Sequence, residues 1–210
     1  MTKKSPRHSA SVARSRVARE AAILLYFGME KEYRQAKVKA AANLGVHVLP
    51  SNLEIALELD SVSQENEGSA RLGRLVEMRE EALKLMRILA VYSPVLIGSV
   101  WRGTIRRGSD VDIEVFHDGA EEVVSLIAAA GLKIRKTERI TTTEHGKTSF
   151  STHVFGESVQ GHPVEVVVRA EDEKDRRRKC DIFGDEIKGL DVPHLEKLLS
   201  ENPARRFLPE

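Results

Sequence analysis

Residues 95–116, reading VLIGSVWRGTIRRGSDVDIEVF, constrain this chain more than any other stretch. An apolar strand enters a turn at Gly98-Ser99, a polar connection follows, and a second strand opens with Asp110 and Asp112. Alternate residues of a strand point to the same face, so the two carboxylates converge on one point. Like charges held that close are costly unless a cation sits between them, and a hard, oxygen-seeking ion such as Mg²⁺ meets the need.

The residues before this stretch read as helix. Ala10 to Phe27 is alanine-rich with an apolar stripe at Val17, Ala21, Leu24 and Leu25, and Gly28 is its stop. Met29 to Leu44 sets Lys31, Arg34, Lys37 and Lys39 opposite Ala36, Ala40 and Ala41, and Gly45 ends it. Pro50 breaks the chain; Ser51 and Glu54 then stand at capping-box spacing and start a third helix, which fades near Asn66 and Gly68. A fourth, Ala70 to Val91, repeats Leu72, Leu75, Val76, Leu83, Met86 and Leu89 at helical intervals.

Ser93-Pro94 ends that pattern, and the texture changes to short apolar runs separated by glycine. A helical domain over 1–90 and a second domain over 91–210 are therefore expected. Within the second, Ala120 to Ala130 reads as a helix, and Lys133 to Thr143 and Thr148 to Phe155 as strands. His162 to Val168 reads as a buried strand and Val192 onward as a last helix. This is an α+β chain: an all-α part, then a mixed sheet with helices on one face. Ser61 to Ser69 and Glu171 to Lys179 are the expected linkers.

No run approaches the ~20 apolar residues of a membrane span, since the longest, Ala21 to Phe27, has seven. The N-terminus lacks the apolar centre of a secretory signal, and a single cysteine, Cys180, forms no internal disulfide. The expected compartment is the cytoplasm. Seven histidines without ligand spacing do not support zinc. Charge is uneven: residues 1–50 hold ten Lys or Arg against Glu20, Glu30 and Glu32, whereas residues 51–70 hold five acids and no Lys or Arg. These blocks either guide a partner or pair with one another.

Gly98-Ser99, Arg102-Gly103 and Ser109-Asp110-Val111-Asp112 together resemble the signature of the nucleotidyltransferase superfamily that shares its core with DNA polymerase β, and most closely its minimal members. The resemblance covers about twenty residues in motif and roughly 88–200 in fold, and leaves the helical part unexplained. It implies that Gly98 and Ser99 grip a triphosphate. Asp110 and Asp112 would bind two Mg²⁺ ions, one bridging the phosphates and one lowering the pKa of an attacking hydroxyl. Glu165, the one acid in the run His162 to Val168, is implied as third carboxylate; otherwise it pairs with Arg169 or Arg135.

The reaction so implied is transfer of a nucleoside monophosphate, AMP from ATP, to a hydroxyl, with pyrophosphate leaving. The resemblance allows a protein side chain, an RNA 3′ end or a small molecule such as an aminoglycoside as acceptor, and the basic N-terminal part tilts the expectation toward a macromolecule. Arg102 is expected to neutralise phosphate, and Ser109, grouped with the nucleotide-binding residues, orders its loop rather than reacting. Trp101 either packs or stacks on a base, and a cation near the cleft is sought at His145-Gly146-Lys147. The run Arg176 to Lys179 is either a solvated face or a nucleic-acid contact. The rival to catalysis is a non-catalytic RNA- or protein-binding module retaining the fold.

Overall fold

The structure, a computed structural model, describes residues 6–144 and 147–209. The cation sought at His145-Gly146-Lys147 lies outside the described residues and side chains. The chain forms two compact units, one of residues up to Ser69 with Lys179–Asp185, the other of Ala70–Arg178 with Glu186–Leu208.

The first unit is built from α1 (Pro6–Tyr26), α2 (Tyr33–Asn43) and α3 (Asn52–Glu67). Val17, Ala21 and Leu25 of α1, Ala36 and Ala40 of α2, and Ile55, Leu59 and Val62 of α3 recur at helical spacing and bury one another. Ser51 caps α3: its hydroxyl accepts from the Glu54 N–H at 3.2 Å while the Glu54 carboxylate accepts from the Ser51 N–H at 2.6 Å, a box worth about 1 kcal/mol. The expected linker at Ser61 to Ser69 is instead helix through Glu67, because Val62 and Ser63 continue the buried face of α3. The charged blocks pair: Arg14 with Glu54, and Arg19 with Glu58 and Glu65. Lys37 donates to Pro50 O and Asn52 Oδ1, and Lys39 to Glu30. Much of the basic excess is thus answered inside the unit, each exposed pair adding at most about 1 kcal/mol.

The second unit holds α4 (Ala70–Ile88), β1 (Val95–Ile97), α5 (Gly98–Arg102), β2 (Val111–Phe116), α6 (Ala120–Ala129), β3 (Lys133–Glu144), β4 (Lys147–Glu157), β5 (Pro163–Arg169) and α7 (Val192–Glu201). The sheet order is β1-β2-β5-β4-β3; β2 and β5 are parallel and the other neighbours antiparallel. Val111, Ile113 and Val115 lie in register with Val164, Val166 and Val168 and face the same core as Leu75, Met78 and Met86 of α4, Leu89 just beyond it, and Val123 and Ile127 of α6. The alternate residues, Asp112, Glu114 and Phe116 with Glu165, Val167 and Arg169, therefore face the other way.

The units part at Ser69/Ala70 rather than near residue 90, because the apolar stripe of α4 belongs to the core of the sheet. The change of texture at Ser93-Pro94 is the passage from α4 into β1 within one unit. The segment Glu171 to Lys179, expected as a linker, carries buried Glu173 and sends Arg178 to the sheet, so it is packed structure up to Arg178.

Two charged residues of α4 hold the elements that carry the site. Glu81 accepts from Ser158 Oγ at 2.9 Å, Gln160 N at 3.2 Å and a His162 ring nitrogen at 2.6 Å, which ties the turn before β5 to the helix. Arg79, 0 % exposed, donates to the carbonyls of Val100, Trp101, Pro203 and Arg205 at 2.6–3.0 Å. Two of those carbonyls are in the last turn of α5, where a five-residue helix leaves its C=O groups without intrahelical partners.

Candidate active site

The row across the sheet at Asp112 reads Ile97, Asp112, Glu165, Phe155 from β1 to β4. Parallel pairing sets Asp112 and Glu165 side by side on one face, and Asp110 stands just ahead of β2. Ligand oxygens of Asp110, Asp112 and Glu165 all lie within 4.8 Å of one another. Three carboxylates this close fit a hard divalent cation, since all the donors are oxygen.

Their electrostatics match. Burial pushes the Asp112 carboxyl well above the usual range, and the charges of Asp110, Glu165 and Glu114 push it further. Asp110 is raised for the same two reasons, burial first and then Glu165, with Arg106 partly offsetting them. Glu114 follows on the same face of β2 but is not part of the cluster. It is 1 % exposed and paired with Arg169 and Arg178, which overcome the upward push of burial and hold its carboxyl below the usual range.

Gly98 is where the turn meets the cluster. Its φ is +70°, and a Cβ there would lie 1.9 Å from Asp112 Oδ2. Glycine is thus required twice, by the left-handed backbone and by the carboxylate packed against it. Gly98→Ala is expected to cost about 1–2 kcal/mol through the backbone alone. It should also turn the Asp112 carboxylate away, so that Mg²⁺ no longer raises the melting temperature; a variant that keeps the full Mg²⁺ response would contradict this packing.

A model of the nucleotidyltransferase domain family matches residues 75–188, more than half of the chain. The chain belongs to this family. A solved structure of a cytoplasmic RNA terminal U-transferase is also similar to it, at 18% identity and a TM-score of 0.28. That match covers 56% of this chain and 34% of the other, so the chain described here spans about a third of that protein's length. No curated protein matches the chain. No helix among the described residues is long and apolar enough to cross a membrane.

The remaining residues of the motif are placed unevenly in this nucleotidyltransferase. Ser99 is half-buried in the first turn of α5, beside Gly98. Ser109 orders its loop: its hydroxyl accepts from the Arg106 N–H at 2.9 Å and its own N–H donates to Arg106 O. Arg102, expected to neutralise phosphate, packs against the chain's last segment. It is 3 % exposed, donates to Phe207 O at 3.2 Å and lies over the Trp101 ring at 4.5 Å, a packing role in the chain's last segment. Trp101 itself is buried and stacks on Phe207. Arg106, in the connection between α5 and β2, is the arginine whose charge reaches Asp110.

Glu165 has neither of the arginine partners considered for it. Arg169 is turned to Glu114 and Glu173, and Arg135 to Glu157. Its hydrogen-bond partner is His153 of β4, at 2.5 Å. Sequence reasoning missed His153; the available signal was that Ser151, His153 and Phe155 alternate along one face of a strand. Of the basic run, Arg178 pairs with Glu114, Arg176 with Glu173 and Arg177 with Glu186. A cavity of about 460 Å³ is lined by Val95, Ile97 and Glu114 of the sheet and by Lys174, Arg178 and Lys188; Ile97 stands opposite Asp112 in the register, and none of the three carboxylates lines the cavity.

Proposed function

We propose that this nucleotidyltransferase moves AMP from ATP onto a hydroxyl of a macromolecule, an RNA 3′ end or a protein side chain, and that Asp110, Asp112 and Glu165 hold two Mg²⁺ ions for the purpose. The observation that carries the proposal is the convergence of these three carboxylates within 4.8 Å, against the glycine that ends β1. When bound, Mg²⁺ supplies charge neutralisation at the phosphates and a more acidic attacking hydroxyl. Gly98 and Ser99 bind the triphosphate through backbone N–H groups and the serine hydroxyl. The cavity lined by Ile97 and Glu114 is in the range of small-ligand sites, roughly 300–1,000 Å³, and carries Lys174 and Lys188 on its wall.

The acceptor oxygen attacks the α-phosphorus, the bond from that phosphorus to the oxygen bridging to the β-phosphate breaks, and pyrophosphate leaves. The protein contributes position and charge rather than a covalent intermediate. A macromolecular acceptor is supported by Arg16, Lys31 and Arg34, which stay exposed on or beside α1 and α2. In the test, the full chain is incubated with Mg²⁺, each α-labelled NTP in turn, and either an RNA pool or a protein extract. Label from ATP in RNA or protein is expected. Preference for another NTP overturns the choice of ATP, and label found only in small molecules overturns the acceptor. Absence of label from every NTP, with no NTP or Mg²⁺ binding in calorimetry, overturns the site.

A further inference from the structure

We propose that His153 is the positioning residue of the site: it holds Glu165 against the two aspartates, and Ser151 and Phe155 in turn fix its ring. This rests on the proposal that the three carboxylates form a cation-binding set.

The need follows from charge. Glu165 is a long side chain beside Asp110 and Asp112, and repulsion alone would swing it away from them. The two arginines on neighbouring strand positions do not restrain it, being paired with Glu114, Glu173 and Glu157. The sheet register provides the restraint instead. Phe155 stands opposite Glu165 and His153 opposite Val167, so His153 is the diagonal neighbour of Glu165 on the same face, within reach of a long side chain.

The ring is held on several sides. Nδ1 lies 2.5 Å from Glu165 Oε1, and Nε2 lies 2.9 Å from Ser151 Oγ. A carboxylate only accepts, so Nδ1 carries the proton in this pair, and Nε2 meets the hydroxyl of buried Ser151. The Phe155 ring stacks on the imidazole at 6.2 Å between centroids and 25° between planes. The side chains of His153 and Glu165 are 16% and 19% exposed, so water competes weakly for the bond. Partners of this kind, one step removed from the ligands, typically change metal affinity by 10- to 100-fold when removed.

The test uses Mn²⁺ alone, titrated calorimetrically into the full chain at one fixed pH. His153→Ala is expected to weaken Mn²⁺ binding about 10- to 100-fold. His153→Asn, whose amide nitrogen can take the place of Nδ1, should recover to within about threefold of the parent, and Ser151→Ala should lose only a few-fold. Metal-free melting, measured beside each titration, selects the variants that are folded. A folded His153→Ala with parental affinity overturns the proposal, as does an asparagine variant no tighter than the alanine one. A parent chain that binds no Mn²⁺ and transfers no label overturns the ligand set itself; a parent that binds while His153→Ala is unaffected overturns only the role of His153. Weakening in Ser151→Ala as large as in His153→Ala counts against it too, because the serine acts only through the ring.

Discussion

Asp112→Asn is expected to lower nucleotidyl transfer by on the order of 10³-fold and, in the absence of metal, to raise the melting temperature by roughly 3 °C. The loss of activity follows from the position of Asp112 at the centre of the cluster, beside Glu165 in register and packed on Gly98. Asparagine keeps the shape and removes the charge that a cation needs. The gain in stability follows from the same geometry. Burial, then Asp110, Glu165 and Glu114, raise the folded-state pKa of Asp112 above its unfolded value of 3.8.

An acid raised on folding binds more protons in the native state, so stability falls as pH rises from about the unfolded pKa to the folded one and stays reduced above it. The advantage of the variant should therefore vanish below the unfolded pKa and grow as pH rises from there toward the folded one. Added Mg²⁺ should stabilise the parent and leave the variant unmoved. Thermal melts with and without Mg²⁺, at acidic and neutral pH, check all of this. A variant less stable than the parent at neutral pH would mean that Asp112 is held by partners rather than repelled by neighbours.

Arg79→Met is the substitution expected to damage the fold most, by about 3–5 kcal/mol, seen as a lower denaturant midpoint with an unchanged slope. Arg79 has no carboxylate partner in the bonds described above; its guanidinium serves the carbonyls of Val100, Trp101, Pro203 and Arg205. Burial lowers its pKa to about 10, which still leaves it charged at neutral pH. Methionine fills much of the same volume and donates nothing, so four carbonyl oxygens lose their donor together. Arg79→Lys should recover little, since a single ammonium cannot span the ends of α5 and the chain's last segment as a planar fork does. Transfer activity should fall with stability, because α5 begins at Gly98. If Arg79→Met keeps its midpoint, the four bonds contribute less than their burial implies.

Arg79 also shows how far the sequence could be read. The stripe Leu75, Ala82 and Met86 of α4, continued by Leu89, passes through position 79 at intervals of three and four, which puts a charged residue in a core position. What it bonds to was not visible, because those carbonyls lie more than twenty residues away in sequence. Arg102 is the converse. Its place in the motif pointed to phosphate, while the Phe207 carbonyl and the Trp101 ring that surround it are known only once the chain has folded back.

The sequence by itself determined what depends on neighbours along the chain. Ser51 and Glu54 cap α3 because a box needs only a spacing of three. Asp110 and Asp112 mark the acidic start of β2 because strands alternate, and Gly98 ends β1 because the turn there runs through the left-handed region. Glu165 was implied as a third carboxylate by the family resemblance, together with its place as an acid inside a run of β-branched residues. Only the tertiary structure decided the rest. A period of two tells which residues share a face but not which strand lies alongside, nor in what register. The parallel pairing of β2 with β5 sets Glu165 beside Asp112, and the antiparallel pairing of β5 with β4 sets His153 beside Glu165. Arg169 and Arg178 take Glu114 out of the cluster. Those choices are fixed by hydrogen bonds between distant segments and by the burial of α4 and α6 on one face of the sheet, which leaves the acidic face of β2 and β5 for the site.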